Sequence, residues 1–487
     1  MSGFDQSSQG IHTGSLCAGI TGSGDETGDV NRRHFLAAIG AYAIIPPPSA
    51  SGQGKEPPAK PLERPGTPIR RVLPSGLRLI VVERPGAALT AISLAVRAGS
   101  GDEEPTRAGT LHLIEHLVFK GTQDKPPGTF DALIEGAGGE LGARTLRDAT
   151  FFEVTLPVVG WKTALRALAE LTLHPAFRAE DLEAEKKVVR SEIALESVDP
   201  VRAGMTAVSS VLFTRGEPYA HPLVGTVAQV AKLTSEELQE VHTACYRPAR
   251  MTLCVVGPVA PQEIWVEAAQ LFDGPKVAPV VRPLRLALQT SLKRTENGLR
   301  APADPAASQR ELVTVVLGWA TPPAADLNSI TGLILLAELL AKGESGRLAA
   351  PLVVQQEAAL QVSAELVVQR CAGLFVLSAT ATRKQAEKLE EATLAQLRRV
   401  LEDGFSETEV AAARASVLGR IATERASVEG LARRLVFYDA LDVPGLEEEI
   451  EKRLPEIPGE TLQSLLRTLL YPGNRAVAIF GPGGTPE

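Results

Sequence analysis

The feature that most constrains this chain is that it starts again halfway along. The run Leu111-His-Leu-Ile-Glu-His-Leu-Val-Phe-Lys-Gly121 can be laid on Leu333-Ile-Leu-Leu-Ala-Glu-Leu-Leu-Ala-Lys-Gly343, an offset of 222 residues from Leu111 to Leu333. Each run follows an extended apolar segment. The ends match as well: Tyr246 to Gly257-Pro258 corresponds to Tyr471 to Gly481-Pro482, at an offset of 224–225. Three matches in the same order at a nearly constant offset indicate a duplicated domain. The units are read as 68–275 and 310–487, joined by a polar linker at 276–309.

Local patterns set the class of each unit. Strand signals fall at 77–82, 91–96, 149–156 and 251–257, and helical periodicity covers 107–120, 128–136, 159–173 and 178–197. Asp199-Pro200 stops the last of these helices. Strands and helices in mixed runs, without strict alternation, specify an α+β class. The apolar share of 44% is enough for two cores and excludes a disordered chain.

Other totals remove function classes. A net charge of −8 argues against non-specific nucleic-acid binding. No apolar run reaches about 18 residues, so no transmembrane anchor is expected in the mature chain. The four cysteines show no C-x-x-C spacing, which excludes a disulfide scaffold and a four-cysteine zinc site. A metal site would have to draw on the seven histidines and the acids.

The N-terminus reads as an address. Residues 1–30 are rich in Gly, Ser, Thr and Asp and lack apolar periodicity. Arg32-Arg33 then precedes Phe35-Leu36, a short apolar stretch to Ile45, and the small residues Ser49-Ala50-Ser51. That order resembles a twin-arginine export signal, with 1–50 as signal and extension and 51–67 as a linker. It implies a bacterial, periplasmic protein.

His112-Leu-Ile-Glu115-His116 is the sharpest local motif. Positions i and i+4 lie on one helix face, so both imidazoles can point at one ion, with Glu115 in the same region. Two histidine nitrogens suit Zn²⁺, and a catalytic site takes a third protein ligand and keeps a position for water. The H-x-x-E-H order inverts the commoner H-E-x-x-H. In the repeat His112 maps to Ile334, Glu115 to Ala337 and His116 to Glu338, so one site per chain is expected. A third ligand can come from helix 178–197, where Glu185 and Glu192 stand seven apart on one side. Spacing alone does not choose between them.

These residues resemble the pitrilysin/insulinase-type zinc metallopeptidases, in the smaller branch that includes the mitochondrial processing peptidase β-subunit and bacterial relatives. The likeness runs from about Val72 to Gly481. It is carried by Gly109-Thr-Leu-His-Leu-Ile-Glu-His-Leu-Val-Phe-Lys-Gly-Thr122, by Gly138-Gly139 with Thr145, Asp148 and Thr150, and by Glu185-Lys-Lys-Val-Val-Arg-Ser-Glu192. Pro218-Tyr-Ala-His-Pro222 and Gly225 also fit. The resemblance implies two homologous α+β domains arranged as a clamshell around a chamber. It implies one Zn²⁺ per chain held by His112, His116 and Glu192, with Glu185 behind them and Glu115 as general base in peptide hydrolysis. It also places substrate binding at Gly142 and Ala143, where relatives usually carry Asn-Ala.

One departure bears on partners. Active single-chain relatives supply an Arg and a Tyr from the second domain. Here those positions fall at Val353 and Leu360, after Gly346-Arg347-Leu348. Neither side chain can donate to an oxyanion. The resemblance therefore implies a heterodimer in which a homologous subunit brings the Arg and Tyr, with Arg347 as an internal substitute otherwise. The competing expectation is a non-catalytic zinc-binding subunit or a peptide-binding module of the same fold.

Overall fold

The computed structural model of the protein describes residues 66–214, 216–275, 293–297 and 312–481. The export segment at 1–50, nearly all of 51–67 and most of 276–309 lie outside the described residues.

The first half builds a six-stranded sheet in the order β1-β2-β6-β3-β5-β4. Its strands are β1 (Ile69–Val72), β2 (Arg78–Glu83), β3 (Leu89–Val96), β4 (Glu140–Thr145), β5 (Thr150–Pro157) and β6 (Met251–Gly257). Only β2 and β6 pair in parallel among these neighbours. The second half repeats the pattern as β7-β11-β8-β10-β9. Those strands are β7 (Lys293–Asn297), β8 (Leu312–Thr321), β9 (Gln361–Val367), β10 (Gly373–Thr382) and β11 (Ala476–Phe480). Deleting β1 makes the two orders superimposable, and β7–β11 is again the parallel pair. The sheets therefore carry the duplication as topology. The protein is two homologous α+β domains in a clamshell arrangement.

Strand β7 corrects the linker expected at 276–309. The sequence Lys-Arg-Thr-Glu-Asn has no apolar alternation, so it reads as loop. As an edge strand paired on one side only, it needs backbone hydrogen bonds more than an apolar face.

Helices pack on one face of each sheet. In the first half these are α1 (Thr110–Val118), α2 (Thr129–Gly136), α3 (Trp161–Leu173), α4 (Ala179–Val198), α6 (Ser235–Cys245) and α7 (Pro261–Leu271). In the second they include α8 (Leu327–Ala341), α9 (Arg383–Asp403) and α10 (Glu407–Ala426). Each set encloses its own apolar core.

The opposite faces are covered by exchange. Helix α5 (Pro200–Leu212) leaves the first half and lies on β8 and β11, while α11 (Val428–Ala440) leaves the second and lies on β3 and β6. Asp199-Pro200 does end α4, and it also starts α5: the Asp199 carboxylate accepts from the Val201 and Arg202 amides, and Pro200 takes the first helical position. Close approach depends on glycine. A Cβ on Gly204 of α5 would meet Val316 Cγ2 at 2.3 Å, and one on Gly318 of β8 would meet Val208 Cγ2 at 2.8 Å. The two exchanged faces form separate apolar clusters, with Leu431, Leu435 and Val436 against Ile80, Ala95 and Val256 in one. Val208 and Leu212 pack with Val316 and Val376 in the other.

Polar bonds tie the halves at the same seam. Arg97 Nη1 donates to Asp442 Oδ1 at 2.8 Å, Thr252 Oγ1 to Asp439 Oδ1 at 2.6 Å, and the Arg370 amide to Asp148 Oδ2 at 2.9 Å. Burial of an apolar seam and several charged bonds makes the two halves one unit, not two beads on a linker.

Candidate metal centre

Helix α1 begins at a fixed point. Gly109, its N-cap, has φ 93, and a Cβ there would meet the Val224 carbonyl oxygen at 2.6 Å. Glycine is the residue that takes this conformation and fits this space. The buried Glu103 carboxylate then caps the helix: Oε2 accepts from the Gly109 amide at 2.8 Å and Oε1 from the Leu111 amide at 2.6 Å. Burial is the largest influence on this carboxyl and pushes it up to about 8, against those two amides and Arg147. Leu111, Leu113, Ile114, Leu117 and Val118 are sunk in the core, which fixes the rotation of the helix. That rotation turns His112 and His116 towards α4.

Helix α4 answers with two carboxylates. Glu192 Oε2 lies 3.1 Å from His112 Nε2 and 3.3 Å from His116 Nε2. One ligand atom from each of His112, His116 and Glu192 falls within 4.8 Å of the others. Glu185, two turns earlier, accepts from His116 Nδ1 at 2.8 Å and pairs with Lys120 Nζ at 2.7 Å. The choice that spacing left open is resolved by geometry: Glu192 joins the two Nε2 atoms, and Glu185 stands behind His116.

This donor set fits a divalent cation of zinc type. The Glu185 contact uses His116 Nδ1 and leaves Nε2 as the coordinating atom, the arrangement in which a carboxylate orients a ligating histidine. Burial, then the neighbouring His116, holds His112 well below the usual imidazole range, so this ring is neutral, as a ligand must be. Burial also acts to lower His116, but the Glu185 and Glu192 bonds outweigh it and raise the imidazole to about 10. His116 is thus held as an imidazolium between the two carboxylates, and a cation bound at Nε2 would take the place of its proton.

Glu115 stands beside this group without joining it. Its carboxyl is raised above the ordinary range, first by burial, with Glu192 adding to the effect and the Thr145 hydrogen bond opposing it. Thr145 Oγ1 donates to Glu115 Oε2 at 2.5 Å. His112, Glu115, His116 and Glu192 open into a cleft whose wall is β4, including Gly142, Ala143 and Thr145. Strand β4 is the outermost strand of its sheet, so its far edge has no partner strand among the described residues. Gly142 has open space where a side chain would project.

The second-domain positions behave differently. Leu360 is exposed and Val353 is half-buried against the second core. The Arg347 guanidinium is engaged within its own half, donating to the Gly404 carbonyl at 2.7 Å and lying 3.3 Å from Glu409. Two residues near the site were missed in the sequence as functional. Thr145 carries no signal of its own beyond its place after Gly138-Gly139. Glu103 gave a weak signal, an acid just upstream of a helix start.

The family model described as "Insulinase (Peptidase family M16)" matches residues 78–226, and that described as "Peptidase M16 inactive domain" matches 232–417. The chain is similar to an uncharacterized zinc protease of Mycobacterium leprae, 32% identical over 195 residues, covering 40% of this chain and 44% of that protein. It is similar to the mitochondrial-processing peptidase subunit beta of Caenorhabditis elegans, 26% identical over 206 residues, 42% of this chain and 44% of that one. The match thus spans less than half the length of these relatives. In fold it resembles a protease from Helicobacter pylori, with TM-score 0.79 and 19% identity over 86% of this chain and 100% of the other. A peptidase M16 inactive domain from Pseudomonas fluorescens follows at TM-score 0.75 and 18% identity, covering 86% and 99%.

Proposed function

Because the chain belongs to the insulinase-type (M16) peptidase family, we propose that it is a zinc-dependent endopeptidase acting on peptides or unfolded segments. The observation that carries this is the meeting of His112 Nε2, His116 Nε2 and Glu192 Oε2, with Glu115 alongside.

His112, His116 and Glu192 would hold the ion, and Glu185, bonded to His116 Nδ1, would leave its Nε2 to ligate. Zinc bound there would supply a water of near-neutral pKa and polarise the scissile carbonyl. Glu115 would accept a proton from the attacking water at a carboxylate oxygen as the water oxygen bonds to the scissile carbonyl carbon. It then passes the proton to the departing amine nitrogen as the C–N bond breaks. A carboxyl raised by burial holds a proton more readily than an exposed one, which suits a group that must both take and return it. The free edge of β4 offers amides and carbonyls to an extended peptide, in the manner of strand addition. Gly142 and Ala143 lie in that segment.

The chain offers no Arg or Tyr at Val353 and Leu360, and Arg347 is committed elsewhere. This supports a partner: a homologous subunit carrying Arg and Tyr that closes over the zinc face to form a chamber. The name of the C. elegans relative, one subunit of a processing peptidase, is consistent with that reading. The same observation favours a second reading, a non-catalytic zinc-binding subunit. Turnover of an unstructured peptide by purified chain, alone and with the homologous subunit, separates them. Zinc binding with turnover only in the pair supports the proposal. Zinc binding with no turnover in either case supports the non-catalytic subunit.

The export reading rests on Arg32-Arg33 and the apolar stretch after them. Changing both arginines to lysine should retain the precursor in the cytoplasm, and unchanged fractionation would overturn it.

A further inference from the structure

We propose that Thr145 is a positioning residue for Glu115, so that the strand offered to the substrate also aims the general base. This rests on the peptidase reading above.

Thr145 is the last residue of β4, and it is buried. Alternation along the strand puts it on the same face as Leu141 and Ala143, which pack into the helical core. Arg144 points the other way. Its guanidinium lies over the Phe151 ring at 4.8 Å and donates to Glu153 at 2.7 Å. A one-residue slip of β4 would put arginine where the hydroxyl stands. The register that prevents this pairs Thr145 with Thr150.

The direction of the hydroxyl proton follows from its neighbours. Thr150 Oγ1 donates its single proton to the Ala98 carbonyl at 3.0 Å. The contact between the two threonine oxygens is 3.4 Å, much longer than the 2.5 Å from Thr145 Oγ1 to Glu115 Oε2. The Thr145 proton therefore goes to Glu115. A carboxylate on a helix can rotate about three side-chain bonds. Holding Oε2 with a hydroxyl on a rigid strand restrains that rotation and keeps the carboxylate at the cleft. Such restraint acts on the rate step and not on metal binding or peptide docking.

The test uses the full chain, with its partner subunit if the wild type needs one. Thr145→Val removes the donor at nearly constant volume, Thr145→Ala removes it with less bulk, and Thr145→Ser keeps it. Val and Ala variants should retain one zinc and an unchanged KM while kcat falls on the order of 10–100-fold, the scale of a misplaced catalytic group. The Ser variant should stay close to wild type. Wild-type kcat in the Val and Ala variants, or a Ser variant as impaired as they are, would overturn the assignment. A second readout needs no turnover. In crystals of zinc-loaded Thr145→Val or Thr145→Ala protein, the Glu115 carboxylate should swing from its wild-type position, and an unmoved carboxylate would overturn the proposal. If wild-type protein cleaves no peptide, alone or paired, the peptidase reading fails while this structural readout still judges Thr145.

Discussion

Arg420 Nη1 lies 2.9 Å from Glu338 Oε2, and the two residues stand where the first half has Glu192 against His116. Glu338 is the counterpart of His116 by the offset of the repeated helix, 222 residues. Arg420 is the counterpart of Glu192 because α4 and α10 are both 20 residues long, starting at Ala179 and Glu407. Lys342, counterpart of Lys120, adds a bond to Glu338 at 2.5 Å. The second half thus ties the corresponding two helices with an ion pair, where the first brings two histidines against a carboxylate. The charges are exchanged: histidine has become acid, and the acid has become arginine.

It follows that metal removal and ion-pair removal should act on different halves. Arg420→Ala should lower global stability by about 1 kcal/mol, a modest value because Arg420 is partly exposed and Lys342 still faces the carboxylate. Metal content should be unchanged. Urea unfolding and metal analysis of the variant check both parts, and lost metal binding would show that the halves are not independent in this respect.

Glu103 makes the start of α1 sensitive to pH. Its folded pKa of about 8 lies above the ordinary 4.5, so the folded chain keeps a proton that the unfolded chain gives up. Stability from this group is therefore present at low pH and declines as pH rises from about 5 to about 8. Arg147 and Asp102 face the carboxyl with opposite effects, the arginine easing the loss and the aspartate deepening it. Glu103→Gln should flatten the decline relative to wild type in metal-free protein, read by urea unfolding across that range. An identical slope would exclude Glu103 as its source.

Glu185 holds His116 by its Nδ1 proton, so its loss should be felt at the metal. Glu185→Gln should weaken zinc binding by about 10–100-fold, as for other residues that support a ligand from behind. Competition with a chromophoric chelator measures this. Glu192→Gln, which alters a ligand itself, should weaken binding further, and the opposite ranking would exchange the two roles.

Much of this centre was legible in the sequence because helix geometry is short-range. His112 and His116 are one turn apart, so their common face follows from periodicity alone. Glu185 and Glu192 share a face for the same reason, which is why spacing could not separate them. The separation depends on how α4 slides along α1, a matter of core packing around Val189 and Leu182. The exchange of α5 and α11 was hidden for a related reason: an apolar helix face states that it will be covered, not by which half. Only their equal length of 13 residues, starting at Pro200 and Val428, hints at a symmetric role. Strand β7 was hidden by its polar composition. Glu103 was missed because a buried carboxylate capping a helix from outside it looks, in sequence, like any surface acid.

The central claim is that one cation, held by His112, His116 and Glu192, works with Glu115 to hydrolyse peptides. Its most direct test is zinc content measured beside peptide turnover for wild type and Glu115→Gln, each alone and with the homologous subunit proposed above. The account predicts one zinc per chain in both proteins and turnover only in the wild type. Two zinc equivalents per chain, or a Glu115→Gln protein that still cleaves peptide at the wild-type rate, would contradict it.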